Sequence, residues 1–261
     1  MADPVAAVAD SARPDTGRRD FLGAPLDLAG RSEIEQSIRD QLAKSGPGLL
    51  HIATLNPEYV VGARTSAPFA AALRRTEWSA PDGVGIVLGV RCLTGERISR
   101  VTGVELAEWL FDAPFPEPPR IFLLGNPASV AALQGRHPLR AVGRWGAGSS
   151  GPEDDSESIE RIQERAADVV LVGYGAPAQV LWIERNRAAL AECGVRVAIG
   201  VGGALDYLAG TAPRAPGFIR RLGLEWLYRL VREPWRWRRQ LALPKFALLV
   251  VRARRDRLRE S

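Results

Sequence analysis

The sequence predicts an α/β fold: a Rossmann-like, mostly parallel sheet with helices on both faces, followed by a C-terminal helical basic appendage. Three observations carry this. Short apolar runs alternate with amphipathic stretches through the first 213 residues, the pattern of strands covered on both faces. Several runs end in Gly-, Pro- or Asn-containing turns that open the next helix. From Arg214 the pattern changes to helical periodicity crowded with Arg and Trp.

In chain order, the predicted strands are Leu49 to Thr54, Arg120 to Gly125, Ala141 to Trp145, Asp168 to Gly173 and Arg196 to Val201. Between them lie amphipathic segments at Ser32 to Lys44, Glu58 to Arg74, Val104 to Asp112, Ser156 to Ala166 and Pro177 to Ala191. Gly146 to Asp155, rich in Gly, Ser, Pro and acids, reads as a surface loop. Three regions follow: a disordered leader at 1–20 that mixes acids, prolines and arginines, a core at 21–213, and an amphipathic basic appendage at 214–261. The leader has no continuous apolar stretch of the kind a signal peptide needs. No apolar run approaches the ~20 residues that cross a bilayer.

Charge is unevenly divided. Residues 214–261 hold 13 Arg and Lys245 against Glu225, Glu233, Asp256 and Glu260, a net of +10. The whole chain is +5, so the other 213 residues sum to −5. A basic tail on an acidic body implies an anionic partner. The Leu- and Val-rich tail favours a lipid surface over nucleic acid, which needs a stacking platform. Arg229, Arg232, Arg236 and Arg239 share one helical face at i, i+3, i+7 and i+10, with Pro234 inside the set. They read as a solvated face, a membrane contact or a diphosphate clamp.

In an open parallel sheet the ligand lies beyond the carboxyl ends of the strands. Thr54 and Asn56 leave the first strand on the same side, and Asn56 can also cap the helix that Pro57 opens. Pro81-Asp82-Gly83-Val84-Gly85 offers Asp82 as an N-cap or as a general base, with Gly83 and Gly85 allowing close approach to the backbone. Gly173-Tyr174-Gly175-Ala176-Pro177 leads into a helix whose first turn holds Gln179, a candidate phosphate or sugar cradle. Gly200-Val201-Gly202-Gly203 runs on to Asp206. It only loosely matches a dinucleotide fingerprint and lacks the downstream acid, which argues against a nicotinamide enzyme. Cys92 and Cys193 make neither a disulfide framework nor a ligand cluster, and His51 and His137 have no ligand-spaced companions, so neither a metal nor a cofactor is expected. No G-x-S-x-G elbow marks a hydrolase.

Taken in order, Thr54-Leu55-Asn56-Pro57-Glu58-Tyr59, Asp82-Gly83-Val84-Gly85, Val101-Thr102-Gly103, Gly175-Ala176-Pro177 with Gln179, Gly200 to Asp206, Arg214-Ala215-Pro216 and Gly223 to Leu230 resemble the WecG/TagA/CpsF glycosyltransferase family. The resemblance implies an inverting, metal-independent transferase. Such an enzyme moves a hexose or N-acetylhexosamine, N-acetylmannosamine-like or its uronic acid, from a UDP-sugar donor to an undecaprenyl-diphosphate-linked acceptor for cell-surface polysaccharide. It implies Asp82 as the base and Thr54 as a pocket residue needed for activity. Asn56 and Gln179 are implied as substrate contacts, and Arg229, Arg236 and Arg239 as donors closing on the diphosphate. Gly83, Gly85, Gly175, Gly202 and Asp206 complete the expected substrate site. The expected place is cytoplasmic, peripheral on the inner membrane face, with the tail on anionic lipid; a homo-oligomer is left open. Two departures stand out: Ala178 and Val180 replace the family's usual Lys and Glu on either side of Gln179. Another UDP-sugar enzyme such as an epimerase, or a non-catalytic membrane scaffold, are the competing readings.

Overall fold

The computed structural model describes residues 17–146, 150–213, 215–217, 219, 225–232 and 237–260. Six parallel strands form the central sheet: β3 (Leu50–Leu55), β4 (Trp78–Pro81), β5 (Ile121–Leu124), β6 (Ala141–Trp145), β7 (Val169–Val172) and β8 (Val197–Gly200). Their order across the sheet is β4-β3-β8-β7-β5-β6. Parallel strands need crossover helices, and these cover both faces. That explains why VVLV of β7 and LHIATL of β3 are buried at every position. Strand alternation divides the core. Leu50 and Ile52 face one apolar cluster with α1 (Arg31–Ala43), α5 (Gly103–Asp112), α6 (Pro127–Arg136) and α10 (Ala204–Ala209). Ala53 and Leu55 face another, with α2 (Pro57–Thr65), α3 (Ala67–Arg75) and α4 (Val84–Thr94). A third cluster packs β5 and β7 against α7 (Asp155–Glu164), α8 (Ala178–Arg185) and α9 (Arg187–Glu192).

The structure refines the sequence reading in four places. The short apolar segment before Asp82 is a sixth strand, β4. The predicted helix at 58–74 is two helices divided at Ser66. That residue's N–H donates to Gly62 O (2.9 Å) to close α2, and its Oγ accepts from Phe69 N (3.4 Å) to open α3. Residues 17–20, expected in the leader, are described with the fold, while 1–16 lie outside the described residues. β1 (Arg19–Phe21) and β2 (Ala24–Leu26) form an antiparallel hairpin, and Arg18 donates to both oxygens of Asp27 at 2.9 and 2.7 Å. Asp27, only 1% exposed, also accepts from Ser79 N on β4, which ties the hairpin to the sheet.

The fourth refinement concerns the tail. α11 (Glu225–Arg232), α12 (Trp237–Gln240) and α13 (Ala242–Glu260) follow the core. α13 packs on α2 and α4, with Phe246 and Val250 buried in the second cluster. A boundary at 213/214 therefore does not divide the packing. Burying each such side chain stabilises by about 1.5–3 kcal/mol. Gly89 of α4 permits the approach: a Cβ there would lie 3.0 Å from both Phe21 Cζ and Phe246 Cζ. The open side of the tail is mixed, with Leu241, Leu248, Val251 and Leu258 exposed among Arg252, Arg254, Arg255, Arg257 and Arg259. Among the described residues no helix is long and apolar enough to cross a membrane.

Candidate active site

Because the strands are parallel, their carboxyl ends share one edge, and β4, β3, β8 and β7 bring four loops together there. Thr54, 3% exposed, lies opposite Ala80 of β4, and its Oγ1 donates to the β8 carbonyl of Gly200 at 2.9 Å. Asp82 leaves the end of β4, its N–H donating to Leu55 O at 2.7 Å, so its backbone is held against β3. Its side chain is half-buried. Gly83 follows with φ +88°, a conformation that favours glycine, and no atom lies within 4 Å of where its Cβ would be. The backbone beside Asp82 is thus open to a ligand. Gly85 is not: a Cβ there would meet Pro57 Cγ at 2.7 Å, so this glycine serves the packing of α4 on α2.

Asn56 caps α2, its Oδ1 accepting from Tyr59 N at 3.2 Å. Val101 N donates to Pro81 O at 2.9 Å and ties the segment before α5 to the end of β4. That places Arg100, half-buried and with no hydrogen bond or ion pair among the described residues, near Asp82. Sequence reasoning did not single it out; the signal was its place directly before Val101-Thr102-Gly103. Gly103 itself fits closely, a Cβ lying 3.1 Å from Val201 Cα. Thr102 and Glu105 form a reciprocal capping box that fixes the start of α5 beneath this edge.

The glycine turns after β7 and β8 are joined rather than empty. Gln179 is 2% exposed, and its Oε1 accepts from Gly175 N (3.0 Å) and Gly202 N (2.9 Å). Its Nε2 donates to Tyr59 Oη at 2.6 Å. Both glycines have positive φ, +80° and +54°. A cradle built on those two N–H groups is therefore already filled from within the protein. Asp206 is likewise engaged: its Oδ1 accepts from Ser129 Oγ at 2.7 Å, joining α10 to α6. Tyr174, between the glycines of the β7 turn, has its phenol pushed up to about 12 by burial and then by Asp154 and Asp155, so it stays neutral. Val180 is fully buried in the second cluster, a setting for an apolar side chain. Arg229 lies on α11 and Arg239 on α12; Arg236 lies outside the described residues. Among the described residues no three His, Cys, Asp or Glu side chains gather as a metal would need.

The opposite, amino edge holds a charge cluster that the sequence did not reveal. His51, fully buried, donates from Nδ1 to Glu184 Oε1 at 2.6 Å. Arg187 donates to Glu184 Oε1 (2.6 Å) and to Glu77 Oε1 (3.0 Å), and Arg75 pairs with Glu184 Oε2 at 3.1 Å. Burial is the largest single influence on the Glu184 carboxyl and pushes it up. The hydrogen bonds and charges of His51 and Arg187 together outweigh that and hold it at about 2.

Comparison with known proteins identifies the family of the whole chain. The model of the Glycosyl transferase WecG/TagA/CpsF family matches residues 19–260. Among curated relatives, N-acetylglucosaminyldiphosphoundecaprenol N-acetyl-beta-D-mannosaminyltransferase of Bacillus subtilis is 30% identical over 79% of this chain and 80% of its own length. The protein of the same name from Bacillus spizizenii is 31% identical over 78% and 79%. That of Staphylococcus aureus is 29% identical over 93% and 96%. These matches set aside the epimerase and scaffold readings.

Proposed function

The chain belongs to the WecG/TagA/CpsF family and is a glycosyltransferase; within that family we propose that it moves an N-acetylmannosamine-like hexosamine, or its uronic acid, from a UDP-sugar to a sugar on undecaprenyl diphosphate. The observation that carries the reading is Asp82. It is a half-buried carboxylate at the shared carboxyl edge, backbone-anchored to β3, with the backbone of Gly83 open beside it. The names of the relatives supply the acceptor class, an N-acetylglucosaminyl-diphosphoundecaprenol.

In this reading the reaction is one inverting displacement. The acceptor hydroxyl attacks the anomeric carbon of the donor, its proton passes to the Asp82 carboxylate, and the bond to UDP breaks with the electron pair leaving on the diphosphate. Charge then develops on the leaving diphosphate. Arginine donors stabilise such charge in place of a metal ion, and Arg229, Arg236 and Arg239 are the candidates from the tail. The exposed apolar side chains of α13, set among arginines in a tail of net +10, suit docking on anionic lipid from the cytoplasmic side, where the lipid-linked acceptor is met.

The test is UDP release from a panel of UDP-sugars with a synthetic prenyl-diphosphate-GlcNAc acceptor. The N-acetylmannosamine donor is expected to turn over, and Asp82→Asn to abolish turnover while binding to anionic vesicles persists. Equal turnover by the Asn variant would remove Asp82 from the role of base. Undiminished activity on a soluble acceptor after deletion of 214–261 would remove the tail arginines from the chemistry.

A further inference from the structure

We propose that Gln179 is a positioning residue rather than a substrate contact: oriented by the Tyr59 hydroxyl, its buried amide clamps the loops after β7 and β8 at the spacing a bound donor requires. The inference rests on the transferase reading above and assigns parts of the same site.

The geometry leaves the amide little freedom. Gly175 N–H and Gly202 N–H are donors only, so the atom 3.0 and 2.9 Å from them must be the carbonyl oxygen. Both acceptor positions of Oε1 are then filled. The nitrogen is forced toward Tyr59 Oη, 2.6 Å away, and the hydroxyl must accept. Tyr59 is wholly buried and comes from α2, immediately behind Asn56. One side chain thus joins three carboxyl-end segments, those following β3, β7 and β8. With 2% exposure it has no face to offer a sugar.

The clamp also reaches Thr54. A Cβ on Gly200 would lie 2.7 Å from Gln179 Nε2, so the amide lies directly over this last residue of β8. The carbonyl of the same Gly200 accepts from Thr54 Oγ1 at 2.9 Å. The end of β8 is held from one side by Gln179 and from the other by Thr54. Asp82, which receives the acceptor's proton, lies on the far side of Thr54, at the end of the outer strand β4. The clamped β7 and β8 loops therefore serve the donor.

The experiment pairs hydrogen–deuterium exchange of the ligand-free full chain with steady-state kinetics. Gln179→Met is expected to raise exchange in segments 173–176 and 200–203 at least tenfold. It should lower kcat by about 10²-fold, since loss of near-attack geometry by about 1 Å costs that much. KM for the donor rises, and KM for the prenyl acceptor stays unchanged. Tyr59→Phe, which deletes one oxygen, gives the same pattern at about tenfold. Gln179→Glu restores slow exchange, because a carboxylate can accept from both N–H groups and from the tyrosine hydroxyl. Slow exchange in Gln179→Met together with lost turnover would make Gln179 a direct contact and overturn the proposal. Fast exchange with full turnover would overturn it equally, as would a loss confined to acceptor KM. If Gln179→Met does not fold, Tyr59→Phe decides alone. Exchange is measured without substrate, so a wild-type chain that releases no UDP overturns the transferase reading and leaves the clamp to be judged by exchange.

Discussion

At the amino edge of the sheet this chain buries charge; at the carboxyl edge it buries neutral amides and hydroxyls and leaves its carboxylate half-open. His51, Glu184, Arg187, Arg75 and Glu77 form a network in which Glu184 is 8% exposed and fully paired. Thr54, Gln179 and Tyr59 do the corresponding joining at the other edge with hydrogen bonds alone. A buried charge fixed by partners has a depressed or elevated proton affinity and is of little use as a base near neutral pH. Neutral groups fix geometry without setting a field on the incoming diphosphate. The contrast separates the edge that holds the molecule together from the edge where we place the chemistry.

The sharpest way to break the contrast is Asp82→Asn. Turnover should fall by roughly 10²–10⁴-fold, the usual worth of a general base. The melting temperature should change little, since Asn has the size and shape of Asp and keeps the packing at the end of β4. Glu184→Gln should do the reverse. Arg187 keeps Glu77 but loses a charged partner, and His51 loses its anion, so about 2–3 kcal/mol of stability goes; kcat of the folded fraction is unchanged. Thermal melting and initial-rate assays on both variants decide.

Acid titration sharpens the same point. Glu184 titrates at about 2 in the folded chain against an ordinary 4.5. Its contribution is therefore complete above about pH 5 and is lost as pH falls from there toward 2, because the unfolded chain takes the proton first. The wild type should lose stability through that window more steeply than Glu184→Gln, as followed by urea melts at each pH. Gly85→Ala comes next: the new methyl meets Pro57 Cγ, and overpacking of this kind costs about 1–3 kcal/mol. The smallest effect belongs to Arg19→Ala. Arg19 and Glu96 pair at 2.9 Å but are 54% and 44% exposed, and such surface pairs contribute under ~1 kcal/mol.

Much of the layout was legible because it is periodic. The five apolar strands and most of the helices between them announce themselves through continuous hydrophobic runs and caps. β4 did not: Trp78-Ser79-Ala80-Pro81 has one large apolar side chain and ends in proline, so it does not read as a strand until β3 lies beside it. The division at Ser66 was hidden because one serine ends a helix and begins another without breaking the apolar spacing. At the site, Thr54 could be placed from a strand end, and Asp82 from the glycine-flanked turn Pro81-Asp82-Gly83-Val84-Gly85. What Gln179 does could not, since its partner Tyr59 is 120 residues away. Nor could the roles of Asp206, held by Ser129 77 residues earlier, and Glu184, paired to His51 across 133 residues. Local pattern fixes where a residue lies in its element, and tertiary contact decides whether it faces a ligand or a neighbour.

The rings of Phe21 and Phe246 stand 6.2 Å apart over Gly89. Two residues far apart in the chain thus meet on the helix that begins just after Asp82. During synthesis the six strands are complete once Gly200 has emerged, yet this face of α4 stays uncovered until Phe246 and Val250 follow. Contacts so distant in sequence are also the slowest to close. A chain cut short before Phe246 would therefore carry every strand of the sheet while leaving the helix that follows Asp82 uncovered on this face.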